Sequence, residues 1–299
     1  MLFINGGIIV IVDILKAQDQ MTVVDKKIAN YLLEQKNNIK KLSAHYIASQ
    51  LYTHPSMITR FCQKVGFNGY TDFQEAYVEE IEYSQSHFQQ VDPNYPFEQQ
   101  DKNIVIANKI GQLYHEIVND TLALMKHDSL QKAINALYKS EIIYVYSAGI
   151  QADLAQTFKE KMLKIGKNVV IEMRMNELFY RASFSKQNCL FIIISYSGEL
   201  ESELRGVRKL KEKNIPLLAI TTYGENTLSK MADYVLYVST REKLIQNLGD
   251  FTMNISTLLI LDILYVSIFN TDYYQHYQQK VATSQEFEKF RKSDNPEIK

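Results

Sequence analysis

Cysteine is scarce in this chain, and so is any pattern typical of a metal site. Two cysteines, Cys62 and Cys189, occur among 299 residues, which excludes a disulfide framework and a zinc site of paired cysteines. The six histidines share no motif and show no metal-ligand spacing. We therefore predict no metal, no cofactor and no catalytic residue, and we expect the reducing environment of the cytoplasm.

Net charge and long apolar runs are also lacking. A formal net charge of -1 argues against non-specific binding to a polyanion through a global field. The apolar run Ile8–Val12 is soon interrupted by Asp13 and Lys16, follows no basic region, and is shorter than the roughly 20 residues that span a bilayer. A cleaved signal peptide is therefore the less favoured interpretation. Residues 251–269 are apolar for longer, but polar side chains such as Asp262 favour a core or dimer helix.

A pair of short amphipathic helices is the clearest feature that the chain does contain. Between Leu42 and Phe73, apolar residues recur at helical spacing. The corner Tyr52–His54 separates the two helices, Pro55 suits the first turn of the second helix, and Gly66 suits its end. The pattern predicts a helix-turn-helix motif with residue 53 or 54 as the N-cap of the second helix.

The second of these helices carries donors, acceptors and cations on its outer face. Such side chains reach base edges and phosphates from a major groove, so we predict double-stranded DNA as a partner. The predicted DNA-binding residues are His54, Ser56, Met57, Thr59, Arg60, Gln63 and Lys64. Two alternatives stay open: the helix pair can be a plain packing unit, and Arg60 can brace the fold by pairing with a carboxylate. Because acidic residues offset the basic ones in this segment, we expect affinity to depend on two copies acting together.

A polar, proline-interrupted stretch after Glu82 divides the chain. We predict a helix-turn-helix domain at residues 1–83, a linker at 84–103 and a second domain at 104–299. In the second domain, short β-branched runs alternate with amphipathic helices, which is typical of βαβ units. The predicted fold class is α + α/β, an all-helical domain followed by a doubly wound five-stranded parallel sheet. The predicted strands are Ile142–Tyr146, Val169–Ile171, Leu190–Ile194, Leu217–Ile220 and Tyr234–Val238.

Polar loops follow three of the predicted strands, where parallel sheets bind their ligands. The third strand leads through hydroxyl-bearing residues directly into a helix, whose free N–H groups and dipole attract an anion. We predict a ligand site formed by Ser147, Gly149, Gln151, Ser195, Tyr196, Ser197, Gly198, Glu199 and Thr221. Hydroxyls, amides and little formal charge suit a phosphate that carries sugar hydroxyls. The alternative is that these serines and threonines only cap helices, although convergence of several such loops favours binding.

Two groups of residues resemble one known family. The segments Val24–Leu33 (VDKKIANYLL) and Ile58–Phe67 (ITRFCQKVGF) look like the N-terminal domain of the RpiR/MurR family of bacterial transcriptional regulators. The segments Ile193–Glu199 (IISYSGE), Lys161–Val169 (KMLKIGKNV) and Leu228–Asp233 (LSKMAD) resemble the sugar isomerase (SIS) domain that follows it in that family. The resemblance implies a flavodoxin-like second domain and a homodimeric or homotetrameric regulator. It also implies that a phosphosugar or amino-sugar phosphate alters the affinity for DNA.

The chain departs from the family pattern at three positions. His54 stands where the family usually has serine, Ser147 stands in place of a first-loop glycine, and Leu200 replaces a threonine beside the phosphate loop. We predict a regulator of carbohydrate metabolism rather than an enzyme. Two alternatives stay open, a phosphosugar isomerase and a regulator whose SIS domain serves only for dimerisation, because a fold does not fix a function.

Overall fold

The computed structural model describes residues 11–18, 21–87, 91–186, 188–291, 295 and 297. Residues 8–10 of the apolar run and 88–90 of the predicted linker lie outside the described residues. The chain forms two compact units, Met1–Asp92 and Pro93–Lys299. Each unit has its own buried core, as two independent domains require.

The first unit is helical. Its elements are α1 (Ile11–Lys16), α2 (Val23–Gln35), a 3-10 helix (Lys36–Lys41), α3 (Ala44–Gln50), α4 (Pro55–Lys64) and α5 (Tyr70–His87). The apolar faces of α2 to α5 meet in one cluster that includes Leu32, Ile47, Phe61 and Phe73, all of which are buried. A capping box at Thr22 and Asp25 begins α2, and the hydroxyl of Tyr77 donates to the carbonyl oxygen of Leu32 at 3.0 Å. The unit is therefore held together by a shared core together with local caps.

The second unit alternates strands and helices after two leading helices. Its helices are α6 (Asn103–Leu124), α7 (His127–Lys139), α8 (Ile150–Leu163), α9 (Met175–Phe184), α10 (Glu201–Glu212), α11 (Thr227–Met231), α12 (Phe251–Thr271) and α13 (Tyr273–Phe287). Its strands are β1 (Ile142–Tyr146), β2 (Asn168–Glu172), β3 (Cys189–Ile194), β4 (Leu217–Thr222) and β5 (Tyr234–Val238). All neighbouring strands are parallel, in the order β2-β1-β3-β4-β5. The predicted fold class is confirmed.

Helices cover both faces of the sheet, because side chains alternate between the faces along each strand. Ile143 and Val145 of β1 pack with α7, α8 and α12, whereas Tyr144 and Tyr146 pack with α9, α10 and α11. The three central strands, β1, β3 and β4, are therefore buried on both sides, and their sequences are apolar runs rather than alternating ones.

The second unit begins before the first helix of its α/β fold. The side-chain oxygen of Asn94 accepts from the backbone N–H of Lys243 at 2.7 Å, and Asn94 is buried. The chain is thus attached to the second unit from about this residue onward, within the stretch predicted as linker. The boundaries of that linker stay a prediction.

Helix α12 is long and apolar enough to cross a membrane by length and composition, a test that core helices also pass. Its residues Ile260, Leu261, Leu264 and Ile268 are buried against the sheet and the helices of the same face. These are the contacts of a core helix.

Candidate functional site

The corner between α3 and α4 is built by local backbone bonds. The N–H of Thr53 donates to the carbonyl of Ala48 at 2.9 Å, and Tyr52 has a φ of 51°. This is a Schellman ending, in which the left-handed position is usually glycine. Here a tyrosine with 98% exposure occupies it. The chain therefore turns sharply enough for α4 to begin three residues later.

Helix α4 is defined at both ends. His54 is its N-cap: Nδ1 accepts from the backbone N–H of Ser56 at 3.4 Å and lies 2.9 Å from the Ser56 hydroxyl. Pro55 occupies the first position, and Gly66, with a φ of 100°, follows the end. The imidazole thus serves in place of the usual serine cap, and the predicted use of Gly66 at the end of the helix is confirmed.

The predicted DNA-binding residues lie on the face of α4 away from the core. His54, Ser56, Arg60, Gln63 and Lys64 are exposed, and Met57 and Thr59 are half-buried. Ile58, Phe61 and Cys62 on the opposite side are buried in the first unit. The polar face is therefore open to a duplex within this unit.

Lys64 is already engaged within the first unit. Its ammonium lies 2.6 Å from Oδ2 of Asp25, whose side chain is 10% exposed. Burial tends to raise the pKa of Asp25, but hydrogen bonds from Lys64 and Thr22 outweigh it and hold the pKa below its ordinary value. The end of α4 is thereby fixed to the start of α2, a role that the sequence pattern did not indicate for Lys64.

In the second unit, the predicted ligand loops lie at neighbouring strand ends. Strand β3 lies between β1 and β4, so Ser147 after β1, Ser195 after β3 and Thr221 near the end of β4 share one edge of the sheet. Thr221 belongs to the strand β4, which extends two residues beyond its predicted end, and not to the loop after it. The strand order reverses between β1 and β3, which is the point where doubly wound sheets bind ligands. Ser147, Ser195 and Thr221 are all buried there.

The loop Ser195–Glu199 is fastened to the start of α11. Both carboxylate oxygens of Glu199 accept from Thr227, one from its backbone N–H at 2.8 Å and the other from its hydroxyl at 2.7 Å. Gly198 has a φ of 63°, and a Cβ there would lie 2.3 Å from Oδ1 of Asn226. Asn226 in turn caps α11 and donates to the hydroxyl of Thr221 at 3.0 Å. Glu199 and Thr221 therefore hold the loop in shape.

The N-terminus of α10, directly after this loop, lacks a side-chain cap. Leu200 occupies the N-cap position and makes no capping hydrogen bond. Among the described residues, buried hydroxyls without a hydrogen-bond partner include Ser202 in the first turn of α10, Ser147 after β1 and Thr222 at the end of β4. Ser202 therefore has an unpartnered hydroxyl beside the uncapped backbone N–H groups of a 12-residue helix, which favour an anion, although Glu201 and Glu203 lie in the same turn.

A small pocket of about 190 Å³ opens beside the loop. Its lining includes Gln151, Ser195 and Tyr196 from the predicted set, together with Glu203 and Glu242, which the sequence analysis did not single out. The Nε2 of Gln151 donates to Asn254 of α12 at 2.8 Å, and the hydroxyl of Tyr196 donates to the carbonyl of Glu242 at 2.7 Å. The signal for Glu242 is its position four residues after β5, at the same edge of the sheet.

The two carboxyl groups of the pocket are buried. Glu203 is 5% exposed and Glu242 is 7% exposed. Burial raises the pKa of Glu242 to about 7, against the opposing effect of the backbone N–H groups of Thr252 and Met253. Burial likewise raises the pKa of Glu203, although a hydrogen bond from Ser195 lowers it in part. Both carboxyls therefore hold a proton more readily than exposed glutamates do.

A second, more open groove of about 700 Å³ lies beside α9, with Tyr180, Arg181 and Phe184 in its lining. Arg181 pairs there with Glu172 at 2.6 Å and lies over the ring of Tyr144. None of the predicted ligand residues lines this groove. Within the part of the chain that the structure describes, no group of three or more histidine, cysteine or acidic side chains could hold a metal ion.

Comparison with known families matches both units. A model described as a helix-turn-helix domain of the rpiR family matches residues 9–84, and a SIS domain model matches residues 136–267. The chain belongs to the RpiR family. It is a helix-turn-helix transcriptional regulator with a SIS domain. The resemblance noted in the sequence is therefore confirmed, and the helix-turn-helix implies DNA binding.

Two curated relatives of this RpiR-family chain are full-length matches. An uncharacterized HTH-type transcriptional regulator of Clostridium perfringens is 23% identical over 263 residues, covering 88% of this chain and 93% of the relative. Another from Caldanaerobacter subterraneus is 25% identical over 252 residues, covering 84% of this chain and 87% of the relative. Both are named as transcriptional regulators rather than as enzymes.

Solved structures share the fold of the RpiR-family chain. The NanR protein of Vibrio vulnificus, determined in complex with ManNAc-6P, has a TM-score of 0.59 and 19% identity, with 94% of this chain and 99% of that chain covered. The sugar isomerase domain of an RpiR transcription factor from Sphaerobacter thermophilus has a TM-score of 0.53 and 16% identity, with 60% and 98% covered. At sequence identities of 19% and 16%, these comparisons show a shared fold and nothing more.

Proposed function

We propose that this regulator senses a phosphosugar or amino-sugar phosphate in its SIS domain and that the ligand changes its affinity for DNA. The observation that carries the proposal is the uncapped start of α10, which follows the loop Ser195–Glu199 (the serine loop) and carries the unpartnered hydroxyl of Ser202. The structural likeness to NanR, which was determined with ManNAc-6P, supports a ligand of this class. The regulated genes would then belong to carbohydrate metabolism.

The DNA-contacting surface in this proposal is the exposed face of α4. Arg60 and Gln63 are its main candidates for base or phosphate contact, since Lys64 already pairs with Asp25 and His54 already caps the helix. Ser56, Met57 and Thr59 complete the face. We propose that a homodimer in the cytoplasm presents two such helices to a two-fold symmetric site, with half-sites about 34 Å apart.

Fluorescence anisotropy with duplexes selected from the genome of the source organism tests the DNA surface. Arg60→Ala should weaken binding at least severalfold and leave thermal unfolding unchanged, because Arg60 is exposed. Arg174→Ala, which removes an 80% exposed arginine from the second unit, is the matched control and should bind as the wild type does. Equal affinity of all three proteins would exclude Arg60 from the interface.

Isothermal titration with a panel of hexose and hexosamine phosphates tests the ligand site. Ser197→Ala should weaken binding of any phosphorylated ligand, since it removes a hydroxyl from the predicted phosphate loop. Ser183→Ala removes a hydroxyl that bonds only within α9 and serves as the control. Sequence-specific DNA binding without binding of any sugar phosphate would favour a SIS domain that serves only for dimerisation.

A phosphosugar isomerase is the weaker candidate. An isomerase needs a positioned general base, and both oxygens of Glu199, the carboxylate within the serine loop, accept hydrogen bonds from Thr227. Incubation with the same sugar phosphates followed by product analysis tests this candidate directly. Turnover that Glu199→Gln abolishes would replace the regulator proposal by an enzymatic one.

A further inference from the structure

We propose that the pocket beside the serine loop selects a ligand with a free ammonium group, held by the carboxyl groups of Glu203 and Glu242. The ligand class is then an amino-sugar phosphate with an unmodified amine. This inference rests on the proposed sensing function and narrows its ligand. It concerns side chains outside the predicted phosphate loop.

Only one of the two carboxyl oxygens of Glu242 accepts hydrogen bonds within the part of the chain that the structure describes. Its Oε2 accepts from the backbone N–H groups of Thr252 at 2.8 Å and Met253 at 3.4 Å, at the start of α12. Its Oε1 is buried and has no hydrogen-bond partner. Burying a carboxyl oxygen without a hydrogen-bond donor costs free energy. Capping of α12 explains the position of Oε2 but not the burial of Oε1. A ligand donor in the adjacent pocket would supply the missing partner.

Glu203 supplies a second carboxyl to the same pocket. It lies on α10, is 5% exposed and accepts a hydrogen bond from Ser195, the first residue of the serine loop. The other charged side chains in the lining are Asp250 and Lys243. The lining therefore contains three carboxyl groups and one ammonium group, that of Lys243. This imbalance favours a cationic ligand group over a neutral hydroxyl or an acetylated amine, both of which donate a hydrogen bond but bring no charge.

The phosphate of such a ligand would bind outside the pair of carboxyl groups, at the start of α10. Ser195 lines the pocket and also begins the loop that leads into the uncapped N-terminus of α10. One small molecule with a phosphate at the helix end and an ammonium at the carboxyls would satisfy both regions. The pocket volume of about 190 Å³ is below the roughly 300 Å³ of common drug-sized sites, which suits a single sugar ring.

The experiment compares three probes by isothermal titration with the full chain. Glucosamine 6-phosphate carries the free ammonium, glucose 6-phosphate has a hydroxyl at that position, and N-acetylglucosamine 6-phosphate has the acetylated amine. We expect the wild type to bind the first at least tenfold more tightly than either of the others, the scale of one charge-assisted hydrogen bond. The Glu242→Gln variant should still bind sugar phosphates, but its preference for glucosamine 6-phosphate should fall to less than threefold.

Glu177→Gln is the matched control, because Glu177 is also a helix-capping carboxylate of the second unit but does not line this pocket. It should keep the full preference. Should Glu242→Gln fail to fold, the inference is tested by the probe preference of the wild type and by the loss of that preference in Glu203→Gln. Equal binding of the three probes by the wild type, or an unchanged preference in both pocket variants, would overturn the inference and leave the sensing function intact. Failure of every sugar phosphate to bind would instead overturn both.

Discussion

At the scale of single residues, Lys64 illustrates how a side chain on the outer face of a helix can serve the fold. Its ammonium pairs with Asp25, 39 residues earlier, at 2.6 Å. Asp25 is also the third residue of α2 and completes its capping box. The pair thus joins the end of α4 to α2, and the free energy of unfolding of the first unit should depend on it.

Lys64→Ala should lower the free energy of unfolding of the first unit by about 0.5–1 kcal/mol at pH 7, since Lys64 is largely solvated. The pKa of Asp25 is lowered in the folded state, so this contribution is present above the ordinary carboxyl pKa. It is lost as the pH falls through the lowered pKa. Urea unfolding at pH 7 and at low pH measures the effect, with the exposed Lys27→Ala as control. A loss that persists after Asp25 is protonated would contradict the pairing.

Glu242 gives a pH dependence of opposite sign. Burial raises its pKa to about 7 in the folded state, so the folded chain binds a proton that the unfolded chain releases above an ordinary glutamate pKa of about 4.3. Stability should therefore fall as the pH rises from about 4.3 to about 7, by roughly 3–4 kcal/mol from this group.

Glu242→Gln removes the titrating group and keeps a side-chain oxygen for α12. Denaturant unfolding of both proteins between pH 5 and pH 8 gives the test, because the charged groups near Glu242, namely Glu203, Asp250 and Lys243, are the same in both. We expect the difference in free energy between the two proteins to change with pH in the direction that favours the variant at pH 8. A constant difference would show that Glu242 is ionised throughout this range.

At the scale of secondary-structure elements, the five strands and the parallel, doubly wound class of the sheet could be predicted from the sequence, whereas the order of the strands could not. The predicted strand Ile142–Tyr146 matches β1, and the predicted Leu190–Ile194 begins one residue after β3 does. Such strands are short, β-branched and buried on both faces, which makes them easy to recognise. The helix-turn-helix was equally predictable, because Pro55 and Gly66 mark the ends of α4.

Other features of these elements could not be predicted, because they depend on contacts between distant parts of the chain. Nothing near Lys64 in the sequence points to Asp25, and nothing near Glu242 indicates that it will cap α12. The tyrosine at the left-handed position of the α3–α4 corner also has no local signal, since glycine is usual there. The ligand loops were predictable as strand ends, whereas the carboxyls of the adjacent pocket required the folded chain.

The attachment of the serine loop to α11 yields a test at this scale. Gly198→Ala should place a Cβ 2.3 Å from Oδ1 of Asn226 at a positive φ of 63°, which the neighbouring cap cannot accommodate without moving. We expect a loss of about 2–4 kcal/mol in the free energy of unfolding of the second unit and a loss of sugar-phosphate binding.

Gly166→Ala is the matched control for that variant. Gly166 also has a positive φ, 75°, but no atom lies within 4 Å of the added Cβ. The Gly166→Ala variant therefore measures the cost of backbone strain alone, a loss of about 1–2 kcal/mol in the free energy of unfolding. It should leave ligand affinity unchanged. Equal losses in the two variants, with ligand binding retained in Gly198→Ala, would mean that contact with Asn226 does not shape the loop.

At the scale of the whole molecule, charge and domain order limit how the regulator can work. A formal net charge of -1 provides no long-range attraction to DNA, so we expect affinity to depend on local contacts, for which the exposed face of α4 is the proposed surface. The predicted ligand residues and the predicted DNA-binding residues lie in different units of the chain. An effect of one on the other is therefore a coupling free energy between two separate sites.

Such coupling is reciprocal, which gives a prediction that does not depend on whether the ligand releases or strengthens DNA binding. If a sugar phosphate changes the dissociation constant for DNA by a given factor, saturating DNA must change the dissociation constant for the sugar phosphate by the same factor, about 5–150-fold for typical allosteric proteins. Anisotropy with and without ligand, and titration of ligand with and without duplex, measure the two factors. Binding of both partners with both factors equal to one would mean that the SIS domain and the helix-turn-helix act independently, because a ligand without differential affinity shifts no equilibrium.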